Sequence, residues 1–491
     1  MHRALAVGDI VHNILQHVKS SGTDLINVAV TCSTLSDPAL NILWLEQSSL
    51  GPLVMCLPQD TWEVTENRTI KLSRVPQLTE WERVRTNASR IRRIISERRN
   101  HVYVPPRPSA PVLRQLFALF PPAILFPKLC AMHFDAVSHL PEIHSDFLLL
   151  RQFFLPRLET LAFNVPSRVP TYEVEQLISA LPAEASGLRQ LSIMSSQDMP
   201  LELSALKRLF LRSPRLQNCT SFLLQIATPQ LSTIEIGTHR TAATPEEITA
   251  LIESLSTSCQ TFGYLEKISV VDYSPGQWWE HESQSELYSR IFRPLLQFRR
   301  LSTVEFVDTG KFRLNDSFIE DAAVAWPYLR VLKFASEKVS DCDVTFTAML
   351  SLASKCKLLH CLHLTFDATY FPILPHAQDG NRELWTTQTA LSELHVGRSK
   401  VSPASQFHLF LAVVFPNLVD LSRSYTAYRL ADGIAWRQLK EAVGTTGDLS
   451  GDVPRNGNLL AKLPTAATAL VGRGDQAGDE ELEGEDNDEF L

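Results

Sequence analysis

WPYLRVLKF, residues 326–334, decides the fold, because its skeleton Leu329-x-x-Leu332-x-Phe334 recurs along the chain. Near copies are Leu129/Met132/Phe134, Leu158/Leu161/Phe163, Leu188/Leu191/Ile193, Leu231/Ile234/Ile236 and Leu265/Ile268/Val270. They continue as Leu301/Val304/Phe306, Leu359/Leu362/Leu364, Leu391/Leu394/Val396 and a degenerate Leu418/Leu421/Arg423. Successive first leucines stand 27 to 43 residues apart, and self-similarity at such a period marks a solenoid. The widest step, Leu188 to Leu231, leaves room for a partial extra unit at 216–222.

The spacing selects the backbone that carries the motif. On a helix, the third and fifth positions after the first leucine fall on opposite sides; on a strand they share a face. Each copy therefore reads as a short buried strand. Helical patterns fall between them at 173–181, 204–212, 245–254, 286–297, 316–325, 344–354 and 407–414. Thr244-Pro-Glu-Glu is a strong helix start, with a capping hydroxyl, proline in the first turn and acids facing the macrodipole. Alternating strands and helices predict an α/β chain of parallel strands. The plan resembles an irregular leucine-rich-repeat solenoid, preceded by a small all-helical segment.

The chain has 491 residues, of which 44% are hydrophobic, enough for a large core. No run approaches the 18 apolar residues of a membrane span. The opening MHRALAVGDI lacks the apolar stretch of a secretory signal. Eight scattered cysteines without framework spacing fit reduced thiols, and hence a cytoplasmic or nuclear protein. The formal charge is −8, yet residues 474–491 alone hold nine acids and no base. The remainder is nearly balanced, which gives no global support for nucleic-acid or membrane binding.

Residues 1–60 read as short amphipathic helices. Val7, Ile10, Ile14, Leu15 and Val18 share helical spacing, a second pattern runs from Leu25 through Val28, Ala29 and Cys32, and a third begins at Pro38. The run Ile10-x-x-x-Ile14-Leu15, Asp24-Leu25, Cys32-x-x-Leu35 and Pro38-Ala39-Leu40-x-x-Leu43-Trp44 resembles an F-box domain of the shortened form common in mushroom-forming (basidiomycete) fungi. Met55-Cys-Leu-Pro-Gln and Thr79-Glu-Trp-Glu-Arg resemble the segments downstream of the F-box in those families. The resemblance implies a non-catalytic, substrate-recognition subunit of a Skp–cullin–F-box ubiquitin ligase. Ile10, Ile14, Leu15, Leu25, Leu40, Leu43 and Trp44 would then hold the Skp-type adaptor that leads to the cullin complex. One departure stands out: Val7-Gly8 occupies the place of the usual leucine-proline pair, removing a fixed φ and an adaptor contact. The other reading is that these helices only cap the repeats of a non-catalytic interaction scaffold outside the ubiquitin system.

Residues 61–112 read as a linker holding one connecting helix, 78–99, with Leu78, Trp81, Val84, Ala88, Ile91 and Ile95 on a stripe. Arginines at 83, 85, 90, 92, 93, 98 and 99 form its other face, either solvated or gripping an acidic partner such as the chain's own tail. The prolines of 105–111 mark a stiff break. The repeats are expected over 113–440 and a disordered acidic tail over 441–491.

No nucleotide-binding, hydrolase or metalloprotease signature occurs, and no catalytic residue, cofactor or metal is assigned. Cys356, His360, Cys361 and His363 would suit a metal by type. Within a strand, however, Cys361 and His363 simply point outward on one face, with His395 one repeat away. The outward residues form the concave surface on which such folds bind partners. Glu235, Lys267, Glu305, Lys333, His363 and His395 are the polar candidates there for an unknown target protein. Trp278 and Trp279, in a Pro/Gly loop, are either buried anchors or an exposed hot spot.

Overall fold

The computed structural model describes residues 7–18, 22–95, 106–134, 149–165, 169–194, 205–224, 230–239, 243–258, 263–273, 286–336, 343–369, 386–397, 399–401 and 407–422. Trp278, Trp279 and the acidic tail lie outside these residues.

The motif copies are strands of one sheet. Among the described residues, thirteen strands line up in strict chain order, every neighbouring pair parallel. They are β1 (Glu46–Gln47), β2 (Arg93–Ile94), β3 (Ala131–Phe134), β4 (Thr160–Asn164), β5 (Gln190–Met194), β6 (Arg208–Ser213) and β7 (Thr233–Thr238). β8 (Lys267–Asp272), β9 (Thr303–Val307), β10 (Val331–Ala335), β11 (Cys361–Leu364), β12 (Glu393–His395) and β13 (Asp420–Ser422) complete the ladder. Chain-order parallel pairing with helices returning on one side is the leucine-rich-repeat-like solenoid that the spacing predicts.

The register keeps equivalent motif positions side by side. Met132, Leu161, Leu191, Leu209, Ile234, Ile268, Val304, Leu332, Leu362, Leu394 and Leu421 form one continuous inward row. All are buried. Each rung is also tied to the one before by a repeated device. Arg330 and Val331 both donate their N–H to the Ser302 carbonyl, at 2.7 and 3.0 Å; His360 and Cys361 do the same to Arg330; Ser392 and Glu393 do so to His360. One carbonyl thus satisfies two donors where the chain turns into the sheet, and both N–H groups are paired as the backbone enters the interior.

Several helices match the expected spans closely. Helices cover Thr171–Glu184, Pro245–Ser258, Asp316–Ala325, Phe346–Lys355 and Phe407–Val414. The Thr244 start forms a full capping box: Thr244 N–H donates to Glu247 Oε2 at 3.0 Å, and Glu247 N–H to Thr244 Oγ1 at 3.2 Å. Between helices and sheet, Phe292 meets Phe306 and Phe334 edge-on at centroid separations of 5.0 and 4.9 Å, while Phe306 and Phe334 stack at 5.7 Å. Such aromatic contacts add to the stabilisation from burial.

Three expectations are corrected. Of the helix expected over 204–212, the described residues 205–212 are not helical: Leu206, Leu209 and Leu211 are a further motif copy carried by β6, and the helix follows at Leu216–Leu224. The wide step therefore holds a whole extra strand. Residues 286–297 are broken into a strand (Glu286–Tyr288), a short helix (Ser289–Phe292) and a 3-10 turn (Arg293–Gln297), because Pro294 lacks the N–H an unbroken helix would use. The connecting helix 78–99 is likewise shorter, a 3-10 turn at Leu78–Trp81 running into Glu82–Ala88.

Nor does 61–112 act as a linker. Strands Trp62–Val64, Thr69–Leu72 and Arg107–Pro108 make a small sheet, while β1 and β2 extend the main one. Trp81, Val84, Ala88, Ile91 and Ile94 are buried in the same core as the repeats, whereas Leu78 is exposed. Gly51 fixes the close approach here: a Cβ on it would collide with the Pro106 carbonyl. The predicted arginine face is partly consumed by these contacts. Arg90 pairs with Asp37 at 2.6 Å and also bonds Asn41, and Arg93 approaches Glu46 at 3.4 Å.

Candidate functional site

Two surfaces hold the residues singled out by sequence. The first is the N-terminal helical group: α1 (Gly8–Val18), α2 (Gly22–Thr31) and α3 (Ser33–Leu43). Ile10 and Val11 N–H groups both donate to the Val7 carbonyl at 3.1 Å, so the first turn of α1 closes without the missing proline. The three helices enclose a core of their own: Val11, Leu15, Leu25, Ala39 and Ile42.

The proposed adaptor-binding residues consequently divide. Leu15 and Leu25 are corrected to core, at 3% and 2% exposure, because they close the space between the helices. Trp44, 8% exposed, belongs to the repeat core, with Leu40 and Leu43 partly buried against it. Leu43 touches both cores. Ile10 and Ile14 alone of the seven are fully available, 41% and 47% exposed and one turn apart. Exposed Val7 extends their stripe, and Ile26 and Val30 form a second stripe on α2. These last two were not among the residues singled out by sequence. Their i,i+4 spacing was a usable signal, hidden because Leu25, Val28 and Ala29 offered α2 another apolar side.

The second surface is the sheet face opposite the inward row. The register brings every polar candidate on it together. One outward row runs Arg208, Thr233, Lys267, Thr303, Val331, Cys361, Glu393 and Asp420; the next runs Phe210, Glu235, Ser269, Glu305, Lys333, His363, His395 and Ser422. The candidates bind one another. Lys267 pairs diagonally with Glu235 at 2.7 Å, and Lys333 with Glu305 at 3.0 Å. Desolvation works to lower the Lys333 pKa, but the hydrogen bond and charge of Glu305 outweigh it, and the ammonium sits above its ordinary value.

Beside that pair, the His363 and His395 rings lie 3.7 Å apart between centroids, tilted by 42°. Burial first, then the neighbouring His395 and Lys333, push the His363 imidazole down to about 3, so it is neutral near pH 7. Burial also pushes the Cys361 thiol up to about 12, helped by its hydrogen bond to Glu393. The face is thus a line of compensated charges ending in a neutral histidine–thiol group.

A separate open cleft of about 670 Å³ is lined by Tyr288, Ser289, Arg290, Arg313, Asn315 and Asp343. Arg313 is already engaged there by Glu286 at 3.2 Å, and both arginines lie over the Tyr288 ring.

No family model matches the chain, and no curated protein does. Among solved structures it is similar to one described as the crystal structure of the Rad7 and Elc1 complex in yeast. The TM-score is 0.36 at 12% identity, covering 69% of this chain and 79% of that one.

Proposed function

We propose that the chain is a non-catalytic substrate receptor of a Skp–cullin–F-box type ubiquitin ligase, working in the cytoplasm or nucleus. The observation that carries this reading is the outward apolar face of the helical group. Val7 just before α1, Ile10 and Ile14 on it, and Ile26 and Val30 on α2 stay exposed although the group has a core of its own. Large side chains kept on the outside of a folded module suit a partner that covers them. The F-box resemblance of the same helices points to a Skp-type adaptor as that partner.

In this reading the open sheet face receives the target protein. Lys267–Glu235 is about one-third exposed on both sides, and pairs near the surface contribute only about 0–1 kcal/mol, whereas Lys333–Glu305 is set deeper. Lys267 and Glu235 can therefore exchange partners with a charged target at small cost. The receptor performs no bond chemistry; it raises the concentration of target lysines near activated ubiquitin held elsewhere in the ligase.

Co-purification tests the proposal. The wild type should retain a Skp-type adaptor at micromolar concentration, and Ile10→Asp with Ile14→Asp should lose it while melting like the wild type. Failure of the wild type to retain the adaptor, or retention by the double variant, overturns the reading. The helices are then a cap, and the chain is an interaction scaffold outside the ubiquitin system.

A further inference from the structure

We propose that Cys361, His363 and Glu393 form a binding site for one zinc-class divalent metal ion on the outward face of β11 and β12. The fold itself builds the constellation. Cys361 and His363 are two residues apart on one strand and so project from the same side. Glu393 is the register partner of Cys361 on the next strand. The Cys361 sulfur, a ring nitrogen of His363 and a carboxylate oxygen of Glu393 all lie within 4.8 Å of one another.

The donor set selects the metal. Thiolate and imidazole with one carboxylate suit zinc or cobalt, whereas magnesium and calcium demand oxygen ligands. Zinc holds such ligands at about 2.0–2.3 Å, which places them roughly 3.5 Å apart around a tetrahedral ion. Of the three side chains, Glu393 is the exposed one and the freest to move in toward an ion. Three protein ligands leave a fourth position for water.

The polar accounting favours the same site. His363 Nε2 is buried, with no hydrogen-bond partner among the described residues. A buried acceptor or donor left unpaired is costly, and a bound cation is one way to satisfy it. The thiol of Cys361 has the carboxylate of Glu393 as its hydrogen-bond partner. Metal binding exchanges that proton for the ion: the S–H bond breaks, the sulfur keeps the electron pair and coordinates, and the proton leaves to solvent. Thiolate and carboxylate together then balance a dication. Lys333 opposes the ion from the neighbouring strand, but Glu305 already holds its ammonium at 3.0 Å. The tilted His395 ring lies against His363 and Asp420 adjoins Glu393, so a second imidazole and a carboxylate flank the site.

Cobalt titration of the chelator-stripped full chain tests the proposal, because a thiolate–cobalt bond has a near-ultraviolet charge-transfer band that carboxylates of an acidic tail cannot produce. The wild type should show that band at one equivalent and lose it when zinc is added. Cys361→Ser should abolish the band, and Glu393→Gln, at an exposed position, should weaken cobalt binding at least ~10-fold with unchanged circular dichroism. Cys130→Ser, a thiol remote from the cluster, should leave the band intact. Absence of the band in the wild type, its survival in Cys361→Ser, or unchanged affinity in Glu393→Gln overturns the site.

Discussion

Arg74 shows how single side chains hold the N-terminal third together. Its guanidinium reaches Asp60 at 2.8 Å and Glu80 at 2.7 Å, and Glu80 also accepts from the Gln77 N–H at 2.7 Å. The hydrogen bonds from Arg74, then from Gln77, pull the Glu80 carboxyl down to about 2 from an ordinary 4.5. A depressed acid stabilises the fold above its unfolded pKa and loses that contribution as pH falls toward the folded one. The melting temperature should therefore drop on acidification from pH 4.5 to 2, and drop less steeply in Glu80→Gln. The group is solvent-facing, so added salt should shrink the difference. Equal slopes in the two proteins at low salt would remove Glu80 from the account. Which residues of the helical group face outward was the least legible point at this scale. Leu15, Leu25 and Trp44 are as apolar as Ile10 and Ile14, and in short helices with apolar residues on several sides the sequence does not say which side turns inward. By contrast, the meeting of His363 with His395 followed directly from in-register parallel pairing.

Elements were legible in proportion to how much their pattern excluded. The Thr244 helix carried three concordant signals and formed as expected, and the Glu247 carboxylate adds a reciprocal bond to the foreseen capping hydroxyl. Thr244→Ala should cost about 0.5–2 kcal/mol in urea unfolding, since it strands the Glu247 N–H while the backbone N–H of residue 244 still holds the Glu247 carboxylate. A cost near zero would mean that tertiary packing alone sets this helix. β6 was missed for a physical reason: Leu206 and Leu209 also satisfy the i,i+3 spacing of a helix, and a short apolar run does not separate the two. The break within 286–297 came from Pro294, whose place in the first turn of the 3-10 segment is compatible with a restart but not with continuity. β1 and β2 escaped because two-residue strands carry no periodicity; only the pairing of β1 to β2 and of β2 to β3 defines them.

Across the whole ladder, each strand leans only on its two neighbours, so a defect in the middle loosens two interfaces and a defect at the end loosens one. Leu332→Ala, in the inward row of β10, should cost roughly 2–5 kcal/mol by denaturant unfolding. Leu418→Ala, at a partly buried position beside the last strand, should cost clearly less. A cost below about 0.5 kcal/mol at Leu332 would contradict its burial. The ladder and the helical group are separate cores that nonetheless share Leu43, while Arg90 clasps α3 through Asp37 and Asn41. That shared side chain acts as a dowel. If α1 and α2 hold a partner as proposed, that partner is denied a swivelling leash and inherits the aim of the sheet, so its reach and angle toward the sheet face are set by geometry instead of by diffusion of a tether.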